Sequence, residues 1–152
     1  MRNTLYERDF YAWANEQAAL LRAGRLAEAD LENIAEEIES IGRGEKRELV
    51  LRLKILLTHL LKWQFQPMWR SNGWQLSIEE HRREVADHIA DNPSLKHKLP
   101  EELSSAYRKA ILTAATETGF DRATFPSACP WTYEQMMDDD FWPGDSTQDR
   151  TS

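Results

Sequence analysis

The sequence predicts an all-α protein: a compact helical bundle with one long central helix and an irregular, aromatic-rich C-terminal segment packed on it. Three observations carry that expectation. Apolar residues recur at three- and four-residue steps through most of the chain. Capping residues, prolines and glycines punctuate those runs where helices would start and stop. No stretch sustains the period-two alternation of a half-buried strand.

The elements follow in order. "TLYE" at 4–7 has the Thr-x-x-Glu form of a capping box, opening a helix that Gly24 should stop. Phe10, Trp13, Ala14, Leu20 and Leu21 give it an apolar face. Asp30 can cap the next helix, where Leu31, Ile34, Ile38 and Ile41 recur. Gly42 and Gly44 interrupt, yet Leu49, Leu53, Leu56, Leu60 and Trp63 resume on nearly the same face. A broken helix has no reason to keep phase. Residues 30–66 therefore read as one helix of roughly 55 Å, continuous or mildly kinked at the two glycines.

Pro67 and "RSNGW" end that helix, and "SIEE" at 77–80 supplies a second capping box for a helix reaching about residue 90. "DNP" halts it. Pro100 suits the first turn of a further helix, with Leu103, Tyr107, Ile111 and Ala114 inward and Gly119 as terminator. Beyond it, prolines and aromatics mark an irregular segment pinned by Phe125, Trp131, Phe141 and Trp142, with one short helix after Thr132. The expected organisation is a single helical domain over 1–144 and a flexible polar tail over 145–152.

Composition narrows the function classes. With 41% hydrophobic and 30% charged residues, the chain is globular rather than disordered or fibrous. Its 152 residues can bury about two-thirds of the unfolded surface. A net charge of −7 argues against nucleic-acid phosphates and anionic membranes as partners. Residues 28–39 are rich in acids and the following stretch in Arg and Lys, so neighbouring segments could pair. One cysteine precludes an intrachain disulfide and points to the cytoplasm. "MRNTLYERDF" lacks the apolar region of a signal peptide, and no apolar run approaches the roughly 18 residues of a membrane span.

"LLTHLLKWQFQP", at 56–67, sets His59 and Lys62 among leucines and aromatics. On a helical wheel His59 falls at the edge of the apolar face, beside Arg52 and Trp63. Glu37 sits at the edge of its own stripe, and bundles build metal sites from Glu and His projecting from facing helices. The Glu-x-x-His pair of such sites is missing. The expectation for His59 is a structural edge residue whose carboxylate partner, Glu37 by preference, raises its pKa. "HRREVADH" puts His81, Glu84 and His88 on one helical face, a spacing compatible with zinc or copper but also with a solvated surface. Cys129, ahead of the short helix at Thr132, reads as a buried structural thiol. "WRSNGW" groups Trp69, Arg70 and Trp74, which could grip an anion or cover the end of the bundle. No glycine-rich phosphate loop, nucleophile elbow or CxxC pair occurs, and no motif calls for a cofactor.

Taken together, "YERDFYAWANEQAALLRAG", "NIAEEIESIGRGEKREL", "LLTHLLKWQFQP", "NPSLKHKL", "AYRKAILTAATETGF" and "FPSACPWTYEQMMDDDF" resemble, in the same order, the bacterial family catalogued as domain of unknown function 29. The resemblance runs from about Leu5 to Phe141. It implies a bacterial, all-helical, single-domain protein and assigns no catalytic residue. Where the family pattern favours serine in a Gly-Arg-Ser element, this chain has Gly44, which removes a helix cap.

Two functional classes follow. The first is a soluble helical interaction module that self-associates or binds a protein partner through the wide apolar helix at 49–65. The second is a small metal-binding protein or enzyme with a site around Glu37 and His59. The residues singled out for a functional surface are Glu37, Arg52, His59, Trp63, Arg70 and Trp74. The module ranks first because the chain offers excess apolar helix surface and no complete catalytic set.

Overall fold

The structure, a computed structural model, describes residues 4–144, so the predicted polar tail lies outside the described residues. Among them are six α-helices and no strand: α1 (Thr4–Arg8), α2 (Phe10–Arg22), α3 (Leu31–Phe65), α4 (Asn72–Asp91), α5 (Leu99–Thr118) and α6 (Tyr133–Met137). Contacts divide the chain into two units, Met1–Gly44 and Glu45–Ser152, and α3 runs through the boundary.

In the first unit, the helix expected over 4–24 is split. Asp9 leaves helical geometry, with φ −146° and ψ 85°, and its carboxylate accepts from the Ala12 amide at 3.0 Å. An aspartate able to cap outcompetes the continuous run that periodicity alone suggests. Gly24 stops α2 as expected. At φ 74° it lets its own amide reach the Leu21 carbonyl and the Arg25 amide reach the Leu20 carbonyl, a Schellman closure. Asp30 then caps α3 and ties the hairpin together. Its carboxylate accepts from Trp13 Nε1 at 3.2 Å and Asn33 Nδ2 at 2.8 Å, while its amide donates to Gln17 Oε1 at 2.7 Å. This polar knot lets Trp13 and Gln17 lie buried on the inner side of α2.

α3 is unbroken at Gly42 and Gly44. A Cβ at either position would meet nothing within 4 Å, so packing does not demand the glycines. Two helix-interior glycines cost about 1 kcal/mol each relative to alanine, and the apolar contacts on either side outweigh that.

The second unit wraps α4, α5 and the C-terminal segment around the rest of α3. Leu49, Leu53, Leu56, Leu57, Leu60 and Leu61 are fully buried, against Ile78 and Val85 of α4 and Ala106, Tyr107, Ala110 and Ala114 of α5. α4 starts five residues before the expected "SIEE" box. Ser71 is its cap, in extended backbone, with Oγ accepting from the Trp74 amide at 3.1 Å. "SIEE" has the right spacing but lies mid-helix, where its Ser has no free amide to accept from. α5 carries Pro100 in its first turn and ends at Gly119 with φ 78°, both as expected.

Arginines hold the irregular C-terminal segment. Arg82, on the apolar face of α4 and 2% exposed, donates from Nε to the Met136 carbonyl at 2.6 Å and from Nη2 to the Phe141 carbonyl at 2.5 Å. Arg70 donates to the Trp63 carbonyl at 2.7 Å, in the last turn of α3, and to the Pro143 carbonyl at 3.3 Å. Each guanidinium also lies over an indole, Arg82 over Trp142 and Arg70 over Trp63, both at 5.1 Å, and the two indoles meet at 4.8 Å. Tyr107 adds a hydroxyl bond to the Pro126 carbonyl at 2.6 Å, and Thr132 and Gln135 close a capping box on α6. Phe125, Trp131 and Phe141 are buried and Trp142 is half-buried.

Arg82→Met keeps most of the aliphatic stem but strands two buried carbonyls. It is expected to destabilise the fold by about 2–4 kcal/mol in urea unfolding, far more than a surface Arg→Met change. An unchanged midpoint would show that the carbonyls find other donors.

Candidate functional site

The residues singled out in the sequence disperse. Glu37 lies in the first unit, where the Tyr6 hydroxyl donates to its carboxylate and the bond pushes the Tyr6 pKa up to about 12. His59 lies in the second, stacked on His81 of α4 with centroids 4.9 Å apart and rings inclined by 21°. Arg52 sits between two acids, 2.9 Å from Glu48 and 3.5 Å from Glu84. Trp63 and Arg70 belong to the clasp on the C-terminal segment. Trp74 receives the Lys62 ammonium over its ring at 5.2 Å, while Lys62 pairs with Glu117 at 3.2 Å. Trp69 is exposed.

The imidazoles are committed locally. His88 is buried, and its Nε2–H donates to the Glu45 carbonyl at 2.8 Å, which fixes the tautomer since a carbonyl can only accept. His81 Nδ1 lies 3.4 Å from Glu84. Among the described residues no three His, Cys, Asp or Glu side chains come together as a metal site. Cys129 is half-buried with Sγ 3.4 Å from the Trp131 carbonyl, and burial pushes its thiol pKa up, away from a nucleophile's range.

The expected pKa shift of His59 is reversed. Burial first, then the neighbouring His81 and Lys62, lower it to about 4, against a smaller upward pull from Glu117. The ring's own surroundings, not a carboxylate, decide the sign.

The wide apolar face at 49–65 is also spoken for. Of its large residues, Leu51 alone is markedly exposed, because α4, α5 and the C-terminal segment use up the rest. The open apolar surface lies instead in the first unit. Between α2 and the first part of α3 runs a groove of about 400 Å³, lined by Phe10, Trp13, Ala14, Ala18, Leu21, Ile34, Ile38 and Ile41, with Gln17 and Glu37 as its polar members. Phe10 is 49% exposed, Ile38 63% and Ile41 67%. In the sequence these side chains form the apolar faces of their helices; the three- and four-residue steps of Leu31, Ile34, Ile38 and Ile41 mark the stripe without telling whether anything covers it.

Fold and groove together define an all-α protein whose apolar hairpin is left uncovered among the described residues. The chain belongs to the family described as Domain of unknown function DUF29, whose profile matches residues 5–142. No curated protein and no solved structure matches it. Among the described residues, no helix is long and apolar enough to cross a membrane.

The His59 environment gives a signed pH effect. An unfolded histidine titrates near 6.5, so between pH 6.5 and 4 the unfolded chain takes up a proton that the folded chain refuses. The stability associated with His59 is therefore full above pH 6.5 and declines as pH falls through that window. Because the ring is only partly buried, the loss is about 1–2 kcal/mol rather than the full linkage value. Urea midpoints at pH 7 and 4.5 should fall further for the wild type than for His59→Gln. Equal losses would contradict the buried neutral ring.

Proposed function

We propose that the protein is a bacterial, cytoplasmic helical interaction module that takes up an amphipathic helix in the groove between α2 and the first part of α3. The observation that carries this reading is the pair of exposed isoleucines, Ile38 and Ile41, on the wall of an apolar groove. Apolar patches of this kind mark binding surfaces in soluble proteins, and a helix laid in a groove through i, i+3, i+4 anchors is a standard mode of recognition. Ala14 and Ala18 line the α2 side with small side chains that let a helix backbone approach. The lone cysteine supports the cytoplasmic setting.

The test uses a fluorescein-labelled 20-residue amphipathic helix with Ile and Leu at a and d positions, and a scrambled control. Anisotropy should show micromolar binding of the patterned peptide alone, weakened at least tenfold by Ile38→Glu with Ile41→Glu. Equal binding of both peptides, or indifference to the isoleucines, would refute a helix-binding groove.

A further inference from the structure

We infer that the helix seated in this groove is the first part of α3 from a second copy of the chain, so that two hairpins close into a four-helix bundle. The inference rests on the helix-binding reading and names its occupant.

The surface is complementary to itself. Leu31, Ile34, Ile38 and Ile41 keep the 3-4-3 spacing of an a/d seam, which is what one helix presents to another. The same surface offers room for those knobs, since the small side chains of Ala14 and Ala18, both half-buried, line it on the α2 side. A two-fold axis would set the isoleucines of each copy against the alanines of the other, which is the condition an isologous contact must meet. Large and small residues interdigitate in this way at the core of bundles.

One flank of the seam carries no charge. Ala35 and Gly42 fall beside it on the helical wheel, both exposed, and a Cβ at Gly42 would meet nothing within 4 Å. Of the charges on this stretch of α3, Glu37 lines the groove on the other flank, where it accepts from the Tyr6 hydroxyl, and the rest lie towards the far side. There Arg43 pairs with Glu36 at 3.0 Å and lies 3.8 Å from Glu39. A second copy approaching over the Ala35–Gly42 flank would desolvate no ion on that side, and the Glu37 carboxylate on the other already holds the Tyr6 hydroxyl, whereas a basic partner would find no acid on the Ala35–Gly42 flank to select it.

The area is also sufficient. The exposed parts of Phe10, Leu21, Leu31, Ile38 and Ile41 amount to on the order of 500 Å² per copy, the upper end of what a monomer leaves in one patch. Two copies together would bury on the order of 1,000 Å², the threshold for a specific interface.

Light scattering on the full chain at 1–100 µM should show mass rising toward twice 17.7 kDa. Ile38→Glu should lower the apparent dimer affinity at least tenfold. Gly42→Arg is the sharper variant, because the monomer has room for the side chain and the helix gains from losing a glycine. It should therefore keep or raise helicity while abolishing the dimer. Leu51→Glu, on the other unit, should leave the dimer intact. A wild type that stays monomeric at 100 µM, or a dimer that survives both Ile38→Glu and Gly42→Arg, would overturn the inference. A monomer that still binds the patterned peptide sinks only the self-pairing, whereas one that binds nothing sinks the helix-binding reading as well.

Discussion

Apolar helix surface is stable in water only when another element covers it, and the supply of covering elements differs along α3. From Leu49 onward the helix has α4, α5 and an aromatic segment to pack on, and its leucines other than Leu51 reach zero exposure. In the first unit its long companion is α2, and two helices share a single interface. Trp13 and Gln17 fill that interface, the Asp30 knot fastens it, and the stripe beside it stays open. Burying a side chain such as isoleucine contributes on the order of 2 kcal/mol, so a row left in water is a standing force for association.

The second unit shows how much polar wiring a complete core requires. Residues 119–144 are largely irregular, and irregular backbone has no helix to satisfy its carbonyls. Arg82 and Arg70 supply those donors, each reaching two carbonyls, and the four planar groups Arg82, Trp142, Trp63 and Arg70 form a continuous row of contacts, the two indoles tilted by 43°. Arginine suits this work because its fork serves two acceptors and its flat face packs on an indole. Burial lowers the Arg82 pKa, while Asp139, Asp138 and Glu79 favour the charged form. Trp63 and Arg70, conspicuous in the sequence as a possible binding surface, take part in this closure.

Much of the architecture was legible in the residues. The phase kept between Ile41 and Leu49 foretold an unbroken α3, and Asp30, Gly24, Pro100, Gly119 and Thr132 each act in the helix end their chemistry suits. What misled was competition between equally good local signals. Asp9 interrupts a run that periodicity carries through, and Ser71 starts a helix that the later "SIEE" box also fits. The site was harder, because it depends on which faces find neighbours. Arg82 sits in phase with Ile78, Val85 and Ile89, a hint that it points inward, yet only the carbonyls of residues 54 and 59 positions away explain its burial. His59 met His81 rather than a carboxylate, and no one-dimensional pattern encodes that pairing. The wheel found the apolar stripes of both halves of α3, but not which half would remain uncovered.

The central claim is that one unit is complete within a single chain and the other is not. Hydrogen exchange followed by mass spectrometry at low and high protein concentration separates the two directly. The account predicts that amides of α2 and residues 31–42 gain protection as concentration rises, while those around Leu53, Leu60 and Ala110 exchange at the same rate throughout. Equal protection of residues 31–42 at every concentration would contradict it.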